Sequence, residues 1–243
     1  MRRVCAAAGT AFRLLCLAAM FHAASAADDP GKAIAPRMEF VPPPPGSYAL
    51  QKIQHVSDAL LLDSAGRVLR LSSLTQGKIT LLTFFYTYCV DPLGCPFAHT
   101  TLAALRDRVS ADHALAGRVR FVSVSLDPTH DTPATIARYG QEFTIDPKFE
   151  WRFLTARNVP ELLPVLHDFG QDVSVETDES GRATRTMHHM LKMFLIDPHG
   201  EVREIYTLSF IQPPVMFNDI KTLALESQTR AINEVQTTAT RSP

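Results

Sequence analysis

The segment KITLLTFFYTY, residues 78–88, is apolar and aromatic without alternation. That pattern predicts a strand buried on both faces. RVRFVSVSLDP, residues 118–128, has the same character and predicts a second such strand. Between them, FAHTTLAALRDRV sets Phe97, Leu102, Leu105 and Val109 at helical spacing. TPATIARYGQEF then reads as a helix, with Thr132 as its N-cap and Pro133 in its first turn. WRFLTA reads as a short strand, and PELLPVLHDFG as a helix closed by Gly170 despite the internal Pro164. LKMFLID and EVREIY are strands joined through Pro198-His199-Gly200. A last helix is expected from Pro214 to about Ser227, followed by a polar tail at 228–243. Upstream, ALLLDSAGRVLRL places two apolar stretches around Asp63-Ser64-Ala65-Gly66, which signals a hairpin.

The order is a β-hairpin followed by β-α-β-α-(β)-α-β-β-α. It describes an α/β domain over residues 50–227, with a mixed central sheet flanked by helices and an N-terminal β-hairpin. This is the arrangement of a thioredoxin-like fold. Residues 27–49 contain Pro36 and the run Pro42-Pro43-Pro44-Pro45-Gly46, and read as a Pro-rich linker.

Composition adds little to this picture. Hydrophobic residues make up 46% and charged residues 20% of the 243, enough for an ordinary core, and the net charge is −1. No basic block suggests nucleic acid as a partner. The first 26 residues change more. Arg2, Arg3 and Arg13 precede an apolar run at Leu14–Phe21, and Ala24-Ser25-Ala26 fits a small-x-small cleavage site. They read as a signal peptide cleaved after Ala26, so the protein is expected to be exported to the periplasm. The alternative is an uncleaved membrane anchor, but Arg13 leaves a run too short to span a bilayer comfortably. Cleavage would also remove Cys5 and Cys16, leaving only Cys89 and Cys95. In an oxidising compartment such a pair is expected to form a disulfide.

Cys89 ends the first apolar strand, and Cys95-Pro96 opens the following helix. A thiol at a helix N-terminus ionises readily, and the thiolate is both nucleophile and metal ligand. The residues alone leave a redox couple, a metal site and a structural staple as alternatives.

Three segments, FFYTYC…CP, VSLDPTHDTPATIARYG and HHMLKMFLIDPHGEV, resemble the signature segments of the Sco/SenC family over roughly residues 50–225. The resemblance implies a thioredoxin-fold copper chaperone for cytochrome c oxidase, in some members with thiol reductase activity. It implies copper as the metal, with Cys89, Cys95 and His189 as its ligands. Its implied partners are a copper-receiving oxidase subunit and an upstream thiol reductant, with membrane proximity if the N-terminal segment is retained. The chemistry agrees, since two thiolates and an imidazole suit copper. Zinc would want a fourth ligand, for which His99 and His188 are candidates. The chain departs from the family in two places. Its cysteine spacing is C-x5-C where C-x3-C is usual, and His188 stands where an acidic residue usually precedes the histidine.

The remaining candidates have plainer readings. His99 reads as an ordinary helix histidine, and His130 and His188 as surface residues, the last with a possible auxiliary role. Met193 reads as core, and Met187 is left open between core and soft ligand. Asp91 reads as a solvated turn residue, and Asp131 as helix-start chemistry. The competing function is a thiol–disulfide oxidoreductase, with Cys89 attacking and Cys95 resolving. A peroxidase is disfavoured because Thr87-Tyr88-Cys89 lacks the Thr-x-x-Cys spacing.

Overall fold

The computed structural model describes residues 40–241. The chain runs through β1 (Gln54–His55), β2 (Leu60–Asp63), β3 (Val68–Arg70), α1 (Ser72–Thr75), β4 (Ile79–Phe85) and α2 (Cys95–Ala111). It continues with β5 (Val119–Ser125), α3 (Pro133–Gly140), β6 (Glu150–Thr155), α4 (Val159–Asp168), β7 (Val173–Thr177) and β8 (Ala183–His189). It ends with β9 (Lys192–Ile196), β10 (Glu201–Thr207), a 3₁₀ turn at Leu208–Phe210 and α5 (Pro213–Arg241). The main sheet has the order β1-β10-β9-β4-β5-β6-β2-β3. Its centre is parallel, with β4 on β5 in register from Ile79↔Val119 to Phe85↔Ser125, and β5 on β6. The outer pairs, including β4 with β9 and β9 with β10, are antiparallel.

Every residue of β4 and β5 is buried, as unbroken apolar runs require. Neighbours along a strand face opposite ways, and β4 uses both sides. Phe84 packs edge-on against Phe169, just past α4, and against Phe194 of β9. Phe85 packs against His99 of α2, Tyr139 of α3 and Phe153 of β6. β1 and β2 lie toward opposite ends of the strand order, yet residues 56–59 alone join them. A flat sheet would put these strands nearly 30 Å apart, at about 4.8 Å per gap, so the sheet must curl. Ser57 fixes this crossing, donating from N and Oγ to the carboxylate of Asp168 at the end of α4, at 2.9 and 2.8 Å.

The expected helix ends are present. Thr132 caps α3 by accepting from Thr135 N at 3.3 Å. Gly170 closes α4 with φ +55, a conformation other residues rarely adopt. Three expectations need correction. First, α5 runs on to Arg241 where a polar tail was expected from 228. SQTRAINEVQTTATR contains neither Gly nor Pro to stop it. Second, packing begins before Leu50. Asn218 Nδ2 donates to Pro43 O at 2.9 Å and Gly46 N to Thr222 Oγ1 at 3.0 Å, so the end of the Pro-rich segment lies along α5. Third, residues 173–189 form a separate two-stranded hairpin, β7–β8, which was not anticipated. The proposed signal at 1–26 lies outside the described residues. Among the described residues no helix is long and apolar enough to cross a membrane.

Candidate metal centre

The cysteine loop leaves the C-terminal edge of β4, where open α/β sheets concentrate their chemistry. Its first residues are clamped from below. Asp131, with no exposed surface, accepts from Thr87 Oγ1 at 2.5 Å, Thr87 N at 3.1 Å and Ser125 Oγ at 2.6 Å. Asp127 accepts from Tyr88 OH at 2.6 Å and faces His130 Nδ1 at 2.5 Å. Asp131 is therefore an anchor for the loop as well as a neighbour of the helix start, which corrects the simpler reading. Asp91 is the turn residue expected, with Oδ1 accepting from Leu93 N at 3.0 Å and its carbonyl from Gly94 N at 2.9 Å. Helix α2 then begins at Cys95 itself, with Pro96 in its first turn.

Both cysteines of the longer C-x5-C loop are free thiols, and each shifts the ionisation of the other. Cys89 is half-buried and Cys95 is buried. The Cys89 thiol is lowered to about 5, chiefly because Cys95 donates its S–H to it. The N–H groups of Cys95 and Asp91 and the Tyr86 hydroxyl assist, against the cost of burial. Cys95 is pushed far up, first by that same hydrogen bond and then by burial. The pair thus holds one thiolate and one thiol. Gly94 makes room for it, since a Cβ there would lie 3.1 Å from Cys89 Sγ and 3.2 Å from Asp91 Cβ. Gly94→Ala is expected to displace the sulfur by a few tenths of an ångström and raise the Cys89 pKa, at a stability cost of about 1 kcal/mol. The thiolate absorbance near 240 nm, followed against pH, checks this; an unshifted titration would contradict it.

His189 is the last residue of β8, paired across the hairpin with Val173. Its ring is half-buried, 6.0 Å from the ring of Tyr86, and burial lowers its pKa. Nδ1 lies 3.3 Å from Met190 O. We assign the proton to Nδ1 on that contact, which leaves Nε2 with a free lone pair. His189 and Cys89 line one cleft of about 910 Å³. Tyr86 lines the same cleft, and its hydroxyl is pushed above its ordinary pKa first by burial and then by the neighbouring Cys89 sulfur. Among the described residues no three His, Cys, Asp or Glu side chains are gathered closely enough to hold one metal ion.

The other candidates sort clearly. His188 is exposed, with Nε2 4.0 Å from Glu176 Oε1. His99 is fully buried, with Nδ1 2.7 Å from Tyr139 OH and Nε2 3.3 Å from Ser123 Oγ, and burial lowers its pKa to about 3. Both its nitrogens are occupied, so it offers no fourth ligand, and it is a core residue where an ordinary helix position was expected. Met193 is buried core, and Met187 packs half-buried against the core while lining the cleft. Sequence reasoning missed Tyr86 and Thr87. Their only signal was polar atoms at the end of an otherwise apolar run.

A dithiol at a strand-to-helix turn, over a mixed sheet covered on both faces, defines a thioredoxin-like protein. The sequence profile of the SCO1/SenC family matches residues 47–225, and the chain belongs to that family. Copper-bound ScoI of Bradyrhizobium japonicum is 26% identical, with a TM-score of 0.56 over 69% of this chain and 98% of that one. A SCO1/SenC family lipoprotein of Bacillus anthracis is also 26% identical, with a TM-score of 0.58 over 70% and 95%. Copper-bound ScoI of Arabidopsis thaliana, at 22% identity, matches in fold with a TM-score of 0.60 over 71% and 99%. No curated protein sequence matches the chain.

Proposed function

We propose that this protein is a periplasmic copper metallochaperone that delivers its ion to cytochrome c oxidase or a related cuproenzyme. Copper is its cargo, held by Cys89, Cys95 and His189. One observation carries the reading: Cys89, six residues before buried Cys95, lines one cleft with the half-buried imidazole of His189. Family membership and the copper bound by the 26% identical relative support it. Two thiolates satisfy Cu(I), and the added imidazole also suits Cu(II). Loading displaces the Cys95 proton to solvent, because Cys89 is already ionised. His189 ends the β7–β8 hairpin outside the main sheet, and loading requires that end of the hairpin to move toward the sulfurs.

Anaerobic titration of the reduced protein should give one tightly held Cu(I) per chain, with release of about one proton at neutral pH. His189→Ala should retain Cu(I) on the sulfurs but weaken Cu(II) binding, on the order of a hundredfold or more for a lost first-row ligand. Unaltered Cu(II) affinity would remove His189 from the site.

A second reading, thiol–disulfide exchange, has its own support. Half-buried Cys89 is the low-pKa nucleophile, and buried Cys95 is held protonated and able to resolve. In either reading a thiol reductant must keep the pair reduced, and the N-terminal 26 residues serve as the export signal.

A further inference from the structure

The β7–β8 hairpin is tied down at its base, where Gln171 Nε2 donates to Met190 O at 3.0 Å and Lys192 Nζ to Gly170 O at 2.6 Å. Farther along β8, the Arg185 guanidinium lies over the ring of Tyr88, 5.0 Å from its centroid. An exposed arginine ordinarily faces solvent. Here the strand is built to aim it. The register runs from Thr177↔Ala183 to Val175↔Met187, four steps along β8 against two along β7, so β8 bulges over residues 184–186. A bulge redirects the side chain it carries. Thr184 closes this one, its Oγ1 accepting from Thr186 N at 3.1 Å and donating to Glu176 Oε2 at 3.1 Å. Tyr88 is a fixed platform. Its hydroxyl donates at 2.6 Å to buried Asp127, whose other carboxylate oxygen accepts from Thr129 N at 3.0 Å.

Tyr86 and Tyr88 pack edge-on at 4.9 Å, and the His189 ring packs edge-on against Tyr86 at 6.0 Å. Arg185 and His189, four residues apart on β8, thus rest on two touching rings that lead directly into Cys89. We propose that Arg185 is a positioning residue: its contact with Tyr88 seats the hairpin and keeps His189 in the Cys89 cleft. Without it the hairpin is held at its base and by half-buried Met187, and His189 faces the cleft for a smaller share of the time. The consequence for metal rests on the copper reading. Cu(I) is satisfied by the sulfurs, whereas Cu(II) uses the imidazole, so Cu(II) alone should register a displaced His189. A ligand already in place costs less to order on binding. The size of the effect is that of one exposed cation–π contact, about two- to fivefold.

Two measurements on the reduced full chain test this. Without copper, Arg185→Leu should speed hydrogen exchange of the β8 amides about two- to fivefold and shift the His189 ring resonances, while the β4 and β5 amides keep their wild-type rates. Arg185→Lys should restore most of both, since an ammonium also sits on a ring face. In a Tyr88→Leu background Arg185→Leu should add nothing, because the two residues act through one contact. With copper, Arg185→Leu should weaken Cu(II) about two- to fivefold and leave Cu(I) unchanged. Losing a positive charge beside the site would by itself tighten a cation, so a fall in affinity reports position. Arg185 is exposed, so its variants should fold; if Tyr88→Leu does not, the leucine and lysine variants at 185 decide. Unchanged exchange and ring resonances in Arg185→Leu, or equal effects with and without the Tyr88 ring, would overturn the proposal. So would a Cu(II) affinity unmoved by Arg185→Leu where His189→Ala weakens it. Should His189→Ala itself leave Cu(II) binding unaltered, the copper reading fails, and the copper-free measurements still decide the role of Arg185.

Discussion

Cys89→Ser is expected to abolish both copper retention and rapid thiol alkylation at neutral pH. Copper loses the sulfur that is already ionised, and the remaining Cys95 is buried and held protonated. A hydroxyl is a hard and weakly acidic replacement, so Cu(I) affinity should fall by several orders of magnitude. In the wild type, alkylation by iodoacetamide should stay nearly constant from pH 8 down to 6, then fall as pH approaches about 5, the pKa of Cys89. The variant should react slowly throughout. Stability should follow the same groups. The Cys89 pKa is lower in the folded chain than the roughly 8.5 of a free thiol. Its contribution is therefore complete above that value and is lost as pH falls toward about 5. Cys95 is raised, so its contribution is complete below the free-thiol value and is lost as pH rises beyond it. The reduced protein should thus gain stability on going from pH 5 to about 8.5, and lose it above. Thermal unfolding of reduced wild type and variant across this range measures the difference. A variant with the same pH profile, or with wild-type alkylation, would refute the thiolate assignment.

Much of this site was legible because its elements bury both faces or cap themselves. β4 and β5 read directly from unbroken apolar runs, and Thr132-Pro133 from local capping chemistry. The placing of Cys89 just after a strand and of Cys95 at a helix start was legible from the apolar run and from Pro96. The β7–β8 hairpin was not legible, because nearly all its side chains are exposed or half-buried and leave no clear periodicity. Yet it carries His189, whose candidacy came from family resemblance alone. His99 was misread because a histidine on a helix gives no sign of which way it faces. Only the fold brings Tyr139 and Ser123 to its two nitrogens. The same limit hid the role of Asp131, whose partner Thr87 lies 44 positions earlier in the chain. Local pattern reports what a segment can become, whereas a buried polar group is explained only by what arrives from elsewhere.

Asp131→Ala is expected to be the most damaging single change to the fold outside the apolar core. The carboxylate is fully buried and serves the backbone N–H and hydroxyl of Thr87 and the hydroxyl of Ser125. Removing it leaves these donors without their acceptor, at a cost of about 3 kcal/mol or more. For a chain of this size that lowers the melting temperature by about 6–12 °C. Burial raises the Asp131 pKa above its ordinary value. A carboxyl raised in this way contributes stability that is complete below the unfolded value, near 3.9, and declines as pH rises through the folded one. Asp131→Asn keeps the volume and one acceptor and never ionises, so it should cost less than alanine and flatten the pH dependence just above 4. The damage should also reach the metal centre, since Thr87 lies two residues before Cys89. A loosened loop no longer holds the sulfur against the N–H groups of Asp91 and Cys95, so the Cys89 pKa should rise in Asp131→Ala. Denaturant unfolding and thiolate absorbance measure the two effects on one sample. A loss below about 1 kcal/mol, within the range of an ordinary surface substitution, would show that Asp131 is not the anchor of the cysteine loop.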